Sequence, residues 1–209
     1  MDDAQAHIRP YRAEDLDALY RVCLLTADNG GDATGQYADP RLPGLVHAAA
    51  YGLFAPDLAF VAEDGAGVGG YIIGVRDSRA FEKRLELEWW PPLRARYPEP
   101  PAEIAEDQRT GDQRQAYRIH HPWRVSDAVY QRYPSHLHIN LVPRLQSGGW
   151  GRKLIDTLLG ALRQQGSPGV HLFVHPENTR ARGFYAHLGF TEFPAGDDPR
   201  PFVMDLAAG

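Results

Sequence analysis

Residues 146–151 read Gln-Ser-Gly-Gly-Trp-Gly, and behind them Leu154, Ile155, Leu158, Leu159 and Leu162 recur at helical spacing. A helix that starts there leaves its first backbone N–H groups without partners and carries roughly half a positive charge at that end. Gly148, Gly149 and Gly151 lack the Cβ atoms that would hold an anion away, so the chemistry on offer is the binding of a diphosphate. Two common diphosphate motifs are excluded. The chain has neither Gly-x-Gly-x-x-Gly with an acidic residue about 20 positions on, nor Gly-Lys-Ser/Thr at this turn. A glycine-rich strand-to-helix turn without a ligand is the plainer alternative. Histidines supply a second chemistry. His136 and His138 alternate with Asn140 on one face of a strand candidate, and His175 closes another, GVHLFVHP. Each is a proton acceptor near neutral pH or a hydrogen-bonded structural group.

Elements must hold these residues in place. A strand from His136 to Pro143 leads into the glycine turn, and a helix over Gly149–Gln165 leaves it, stopped by Gly166. The strand GVHLFVHP, a helix from Asn178 stopped by Gly189, and the strands FTEF and FVMDL follow. Upstream, HIRPY reads as a strand and Ala13–Leu25 as a helix with Leu16, Leu19, Tyr20 and Cys23 on one face. GLVHAAAYGLF reads as a second helix, and LAFVAEDGAGVGGYIIGV as two strands about a turn signalled by Asp64-Gly65. Residues 76–135 replace the short connection expected before the next strand, and several prolines mark them as an insertion. Its helical pieces are SRAFEKRLELEWWPPLRARYP and PAEIAEDQRTGDQRQAYRIHHPW, and Trp89, Trp90 and Trp123 are expected to pack it onto the body rather than line a groove. The expectation is one domain, 1–209, of mixed α/β class with a helical insertion between the third and fourth strands.

Residues 178–190, NTRARGFYAHLGF, follow Asn-x-x-Ala-x-x-Phe-Tyr-x-x-Leu-Gly-Phe. Together with Gln146-x-x-Gly149-x-Gly151 this resembles the paired acyl-CoA motifs of the GNAT superfamily of N-acetyltransferases, over His136 to Leu206. The phrases IRPY and FVAEDGAGVGGYIIGVRDSRAFEKRLELEWWPPLRARYP, ahead of a long insertion, look like the acetyltransferase-like domain of animal O-GlcNAc hydrolase and its free-standing bacterial relatives.

The resemblance implies the GNAT fold, an α+β mixed sheet whose fourth and fifth strands splay to admit pantetheine, with acetyl-CoA as co-substrate and no metal. It implies that the Leu141 N–H bonds the thioester carbonyl and stabilises the oxyanion, where a plain reading of Leu141 is a core residue. Val142 and Gln146 join it as acetyl-CoA contacts, as do Gly148, Gly149, Trp150, Gly151 and Arg152 in the turn. Asn178 matches the asparagine that bonds the pantetheine amide, against a plain helix N-cap. Tyr185 matches the tyrosine that protonates the leaving thiolate, against an aromatic packed beside Phe184. For the general base the candidates are His138 and His175. His136 and His138 are similar to the paired histidines of arylalkylamine acetyltransferases. Their spacing to Pro143 differs by one residue, which turns them to the other face unless a β-bulge intervenes.

Composition bounds the function. The 209 residues carry a net charge of −5, which gives no electrostatic footprint for nucleic acid. The single cysteine, Cys23, excludes an internal disulfide framework and a cysteine-based zinc site and points to a reducing cytoplasm. The start, MDDAQAHIRP, has no basic n-region or apolar h-region, and no apolar run reaches membrane-spanning length. A cytoplasmic monomer or homodimer is expected, with acetyl-CoA and an unidentified primary amine as partners and neither nucleic acid nor membrane. The expected reaction is N-acetylation by direct attack of the amine in a ternary complex. The competing reading is a non-catalytic module that recognises a protein or glycan, against which the intact set Gln146, Gly149, Gly151, Asn178 and Tyr185 speaks. A nucleotide-binding oxidoreductase lacks its acidic ribose ligand. The insertion is expected to cover the acceptor side, where Glu82, Glu86 and Glu88 attract a cationic amine or form a solvated helix face.

Overall fold

In the computed structural model, which describes residues 6–146, 148–194 and 201–207, the five leucine and isoleucine residues behind the glycine turn are all buried on one face of a 15-residue helix. That helix lies on one side of a seven-stranded sheet. In chain order the first half comprises β1 (His7–Pro10), α1 (Leu16–Leu24), α2 (Leu42–His47), α3 (Ala49–Phe54), β2 (Ala59–Asp64) and β3 (Gly67–Val75). The insertion carries α4 (Ser78–Arg84), α5 (Trp90–Arg96), α6 (Gly111–His120) and α7 (Asp127–Tyr130). After it come β4 (Ser135–Leu141), α8 (Trp150–Gln164), β5 (Gly169–Leu172), α9 (Thr179–His187), β6 (Thr191–Glu192) and β7 (Phe202–Asp205).

The strands stand in the order β1-β2-β3-β4-β5-β7-β6, and only β4 and β5 run parallel. β3 is buried from Val68 to Val75 because it is covered on both faces. One cover is α8 with α9, whose Tyr185 joins Leu158, Ile72 and Phe202 in a continuous core. The other is α1 with α3, where Leu19, Val22, Val61 and Tyr71 meet. No helix among the described residues is long and apolar enough to cross a membrane.

Local departures from the sequence reading have local causes. The helix expected over GLVHAAAYGLF begins at Leu42 and is broken in two at Ala48, whose φ of −135° and ψ of −48° lie outside the helical region. The hairpin turn is Gly65-Ala66, one residue past the Asp64-Gly65 signal. Asp64 Oδ1 accepts the Ala66 N–H at 2.9 Å, and Gly67 supplies a φ of +90°. The insertion ends at Pro134, since Ser135 already pairs with Val170. Of the piece from Pro101 to Trp123, Gly111–His120 is α-helical, starting at a capping box between Thr110 and Gln113. Between α4 and α5 the chain makes a π-helical turn, Leu85–Trp89, just ahead of Pro91 and Pro92, which cannot donate the bonds an α-helix needs there.

Two of the three tryptophans anchor the insertion. Trp90 packs with Leu42, Leu93 and Ile119, and Trp89 Nε1 donates to the Leu45 carbonyl at 3.0 Å, so the insertion docks on α2. Trp123 does not pack in this way. It is 56% exposed and meets Phe173 edge-on at 4.0 Å.

Candidate active site

β4 and β5 share only the pairs Ser135–Val170 and His136–His171 before they part. Beyond Leu172 the chain leaves the sheet, which places His175 in a loop rather than at a strand end. β4 continues to Leu141 with β3 as its one neighbour. The Val142 N–H bonds the Gly69 carbonyl at 2.9 Å, so by the alternation of a strand the Leu141 N–H and C=O point into the gap. Gln146 Nε2 donates to the Leu141 carbonyl at 2.8 Å, while the N–H faces a gap without a strand to pair with. Val142 differs from its expected part. Its N–H is taken by Gly69, its C=O accepts from Leu145 at 3.0 Å, and its side chain is buried, so it presents no free amide to the gap.

The start of α8 opens at the same end of β4. Gly149 is its N-cap with φ +75°, a left-handed conformation that favours glycine, and no side chain among the described residues caps the helix. The first-turn N–H groups of Trp150, Gly151 and Arg152 therefore face outward. A Cβ at Gly149 would meet nothing within 4 Å, whereas one at Gly151 would lie 3.1 Å from the Phe184 ring, where α8 starts hard against α9. Gly148 is exposed beside the Trp150 indole, over whose ring Lys153 Nζ stands at 4.0 Å, and Arg152 is exposed near Asp156. Asn178 caps α9, its Oδ1 accepting the Ala181 N–H at 3.0 Å, and its amide NH2 has no partner among the described residues. Tyr185 is buried between Phe184, Phe190 and Phe202, and burial pushes its phenol up from the ordinary value. Its hydroxyl makes no hydrogen bond among the described residues.

The histidines divide by their partners. β4 is regular from His136 to Leu141, and the bulge lies instead between β2 and β3 at Ala62/Glu63, so His136, His138 and Asn140 share the face toward α1 and α3. Ser78 Oγ donates to the Pro134 carbonyl at 2.7 Å and so accepts from His136 Nδ1, also at 2.7 Å. His136 Nε2 then accepts the Tyr51 hydroxyl at 2.8 Å. Both ring nitrogens are committed, and burial holds the pKa of His136 well below the ordinary value. His171 donates from Nδ1 to the Tyr133 carbonyl at 2.7 Å and is pushed down to about 4 by burial. His138 is also pushed down to about 4 by burial, but its buried Nε2 has no partner among the described residues. His175 is solvent-facing, its side chain 57% exposed, and its Nδ1 accepts the Glu177 N–H at 3.3 Å.

Sequence reading missed His47. Its ring stacks on His138 with centroids 6.1 Å apart, and its Nε2 lies 3.0 Å from Gln115 Oε1, to which it donates when protonated, and 3.2 Å from Arg118 Nη1, from which it accepts in the other tautomer. Burial, with Arg118 and His138 alongside, pushes it down to about 3. The available signal was the spacing of His47 and Tyr51, one helical turn apart, on a segment read only as helix.

These rings line a cavity of about 610 Å3 between the insertion and the parting strands. The insertion contributes Phe81, Glu82, Glu86, Arg118 and Trp123, and the loop after β5 contributes Phe173 and His175. Glu82 pairs with Arg79 at 2.9 Å, and Glu86 is held by both terminal nitrogens of Arg94 at 3.0 and 3.2 Å. Glu88 pairs with Arg84 and does not line the cavity.

The profile of the acetyltransferase (GNAT) family matches residues 51–190. The chain belongs to the GNAT acetyltransferase family. Its backbone superposes on the crystal structure of SsHAT with a TM-score of 0.86 and 38% identity, covering 97% of this chain and 98% of that one. It shares the fold of yncA from Salmonella typhimurium, solved with acetyl-CoA, at a TM-score of 0.56 and 15% identity over 98% of this chain and 95% of that one. Among curated proteins, this GNAT chain is 26% identical over 188 residues to Protein O-GlcNAcase of Rattus norvegicus. That match spans 88% of this chain and 20% of the relative, so the chain corresponds to about a fifth of that protein's length. A stretch of 49 residues, 23% of this chain and 16% of the relative, is 49% identical to the mycothiol acetyltransferase of Beutenbergia cavernae.

Proposed function

We propose that the protein is an acetyl-CoA-dependent N-acetyltransferase that acetylates a primary amine by direct attack in a ternary complex, in the reducing cytoplasm to which its single free cysteine is suited. The observation that carries this reading is the edge of β4 at Leu141, unpaired among the described residues and lying between a glycine-capped helix start and a cavity lined by His138.

The residues fit acetyl-CoA on three counts. The gap between β4 and β5 leaves strand-edge groups for pantetheine, as the Leu141 N–H exemplifies. The turn offers open space at Gly149 and outward N–H groups to a diphosphate, with Arg152 and Lys153 beside it. Asn178 keeps two amide protons for a carbonyl after capping α9. When bound, acetyl-CoA supplies an activated acetyl thioester.

The chain's own residues then have distinct tasks. The Leu141 N–H stabilises negative charge on the carbonyl oxygen, an effect of about 3 kcal/mol for one well-placed donor. His138 is neutral at pH 7 and offers its unpartnered Nε2 to the proton that the amine nitrogen sheds on acylation, as a base weakened by burial that substrate must reach at a buried atom. Tyr185, kept protonated by burial, gives its proton to the departing sulfur. Gln146 holds the Leu141 carbonyl and so fixes the strand end that carries the oxyanion donor.

Titration calorimetry with acetyl-CoA and with free CoA is the direct test. Micromolar to submillimolar binding is expected, and no heat of binding at millimolar ligand sinks the reading.

A further inference from the structure

The ion pairs around the cavity occupy the glutamates that could draw in a cation. Glu82 and Glu86 are already neutralised by Arg79 and Arg94. Arg118 makes no ion pair among the described residues, where its one side-chain hydrogen-bond partner is His47 Nε2 at 3.2 Å. Arg124 reaches only Glu86 Oε1, at 3.5 Å, an oxygen that Arg94 already holds. The remaining carboxylate at the cavity, Glu106, is exposed and forms no ion pair among the described residues. Two guanidiniums therefore face the cavity against one solvated carboxylate.

Their position gives this charge a use. An arginine has five N–H donors, and at most one terminal nitrogen of Arg118 is engaged, by the His47 Nε2 that also faces Gln115 Oε1, so the planar fork is left to donate to a carboxylate side-on. His47 in turn stacks on His138. One imidazole thus separates an available guanidinium from the unpartnered Nε2 that would receive the amine's proton.

We propose that the acceptor is a primary amine that also carries a carboxylate, held by Arg118 with Arg124 in support while its nitrogen reaches His138. This rests on the acetyltransferase reading above and narrows its substrate class. The volume of about 610 Å3 lies in the small-molecule range and accommodates a free amino acid.

The experiment measures thiol release from acetyl-CoA with three matched series: lysine, lysine amide and cadaverine; phenylalanine, phenylalanine amide and phenethylamine; tyrosine, tyrosine amide and tyramine. Calorimetry first establishes that the same preparation binds acetyl-CoA. In at least one series the carboxylate form should exceed the amide and the decarboxylated amine by tenfold or more in kcat/KM. In Arg118→Gln that ratio should collapse toward one, through a KM for the acid raised roughly 10- to 100-fold, as loss of a charge-assisted hydrogen bond predicts. A role in folding alone would lower all three forms together. Amines preferred over acids, an unchanged ratio in Arg118→Gln, or no acetylation of any acid by protein that binds acetyl-CoA would each overturn the proposal. Preference for short peptides with a free C-terminus over amino acids would retain the carboxylate contact and overturn the free amino acid as its source. Failure to bind acetyl-CoA overturns instead the reading beneath it.

Discussion

At the scale of single residues, Tyr185 and His138 separate chemistry from binding. A phenol that delivers its proton as the C–S bond breaks contributes to the transition state and little to the ground state. Tyr185→Phe is therefore expected to lower kcat by about 10- to 1000-fold while acetyl-CoA affinity, read by calorimetry, stays within about twofold. The phenyl ring keeps its packing against Phe184, Phe190 and Phe202, so a shifted melting temperature would expose a structural role instead. His138 and His136 make a contrasting pair two residues apart. His138→Gln should lower kcat/KM by about 100-fold or more with little loss of stability, because its Nε2 bonds to nothing among the described residues. His136→Gln breaks a chain running from Tyr51 to Pro134 and should lower the melting temperature while turnover per folded molecule changes much less. Equal effects of the two on turnover would remove His138 from the mechanism. Spacing in the sequence placed both histidines on one face, but only the partners brought by α3 and α4, Tyr51 and Ser78, distinguish them.

At the scale of elements, the start of α8 is the part that should answer to charge. Gly149→Asp adds a Cβ into open space and a carboxylate at a helix N-terminus. The left-handed φ of +75° costs a non-glycine residue roughly 1–2 kcal/mol, and the carboxylate regains about 0.3–1 kcal/mol from the helix dipole. The fold should survive, with a melting temperature only a few degrees lower, while acetyl-CoA binding is lost to repulsion of the diphosphate. Retained binding in calorimetry would move the diphosphate elsewhere. This helix was legible in the sequence because its signals are local: glycines at its start, an apolar stripe along it, Gly166 with φ +71° at its stop. The parting of β4 from β5 carries no such local signal. It depends on where β5 stops, and Phe173, Val174 and His175 continue the same apolar alternation beyond Leu172. The break at Ala48 is equally silent in sequence, since alanine is a strong helix former and the kink is set by packing of α2 on the insertion and α3 on the sheet.

At the scale of the whole molecule, the insertion covers a flank of the sheet and leaves four histidines with buried rings beneath it, and this sets how the protein should respond to acid. Burial holds His138 and His171 near 4, His47 near 3 and His136 well below its ordinary value. In the unfolded chain each returns to about 6.5. Between roughly pH 6.5 and 4 the unfolded state therefore binds more protons than the folded one, and stability falls as pH falls. Above about 6.5 both states hold these rings neutral and the contribution is complete. The ion-paired carboxylates Asp15 and Glu86, held below their ordinary values by Arg9 and Arg94, act in the same direction only at lower pH, below about 4.5. The melting temperature should consequently be flat from pH 8 to 7 and begin to drop near pH 6.5, before carboxylates titrate. Calorimetric scans across pH 4.5–8 in buffers of constant ionic strength would show it. His138→Gln removes one of these protons and should make the curve shallower in this window. A melting temperature independent of pH from 7 to 5 would mean that the unfolded and folded states hold these histidines alike, and that the interior is wetter than its packing implies.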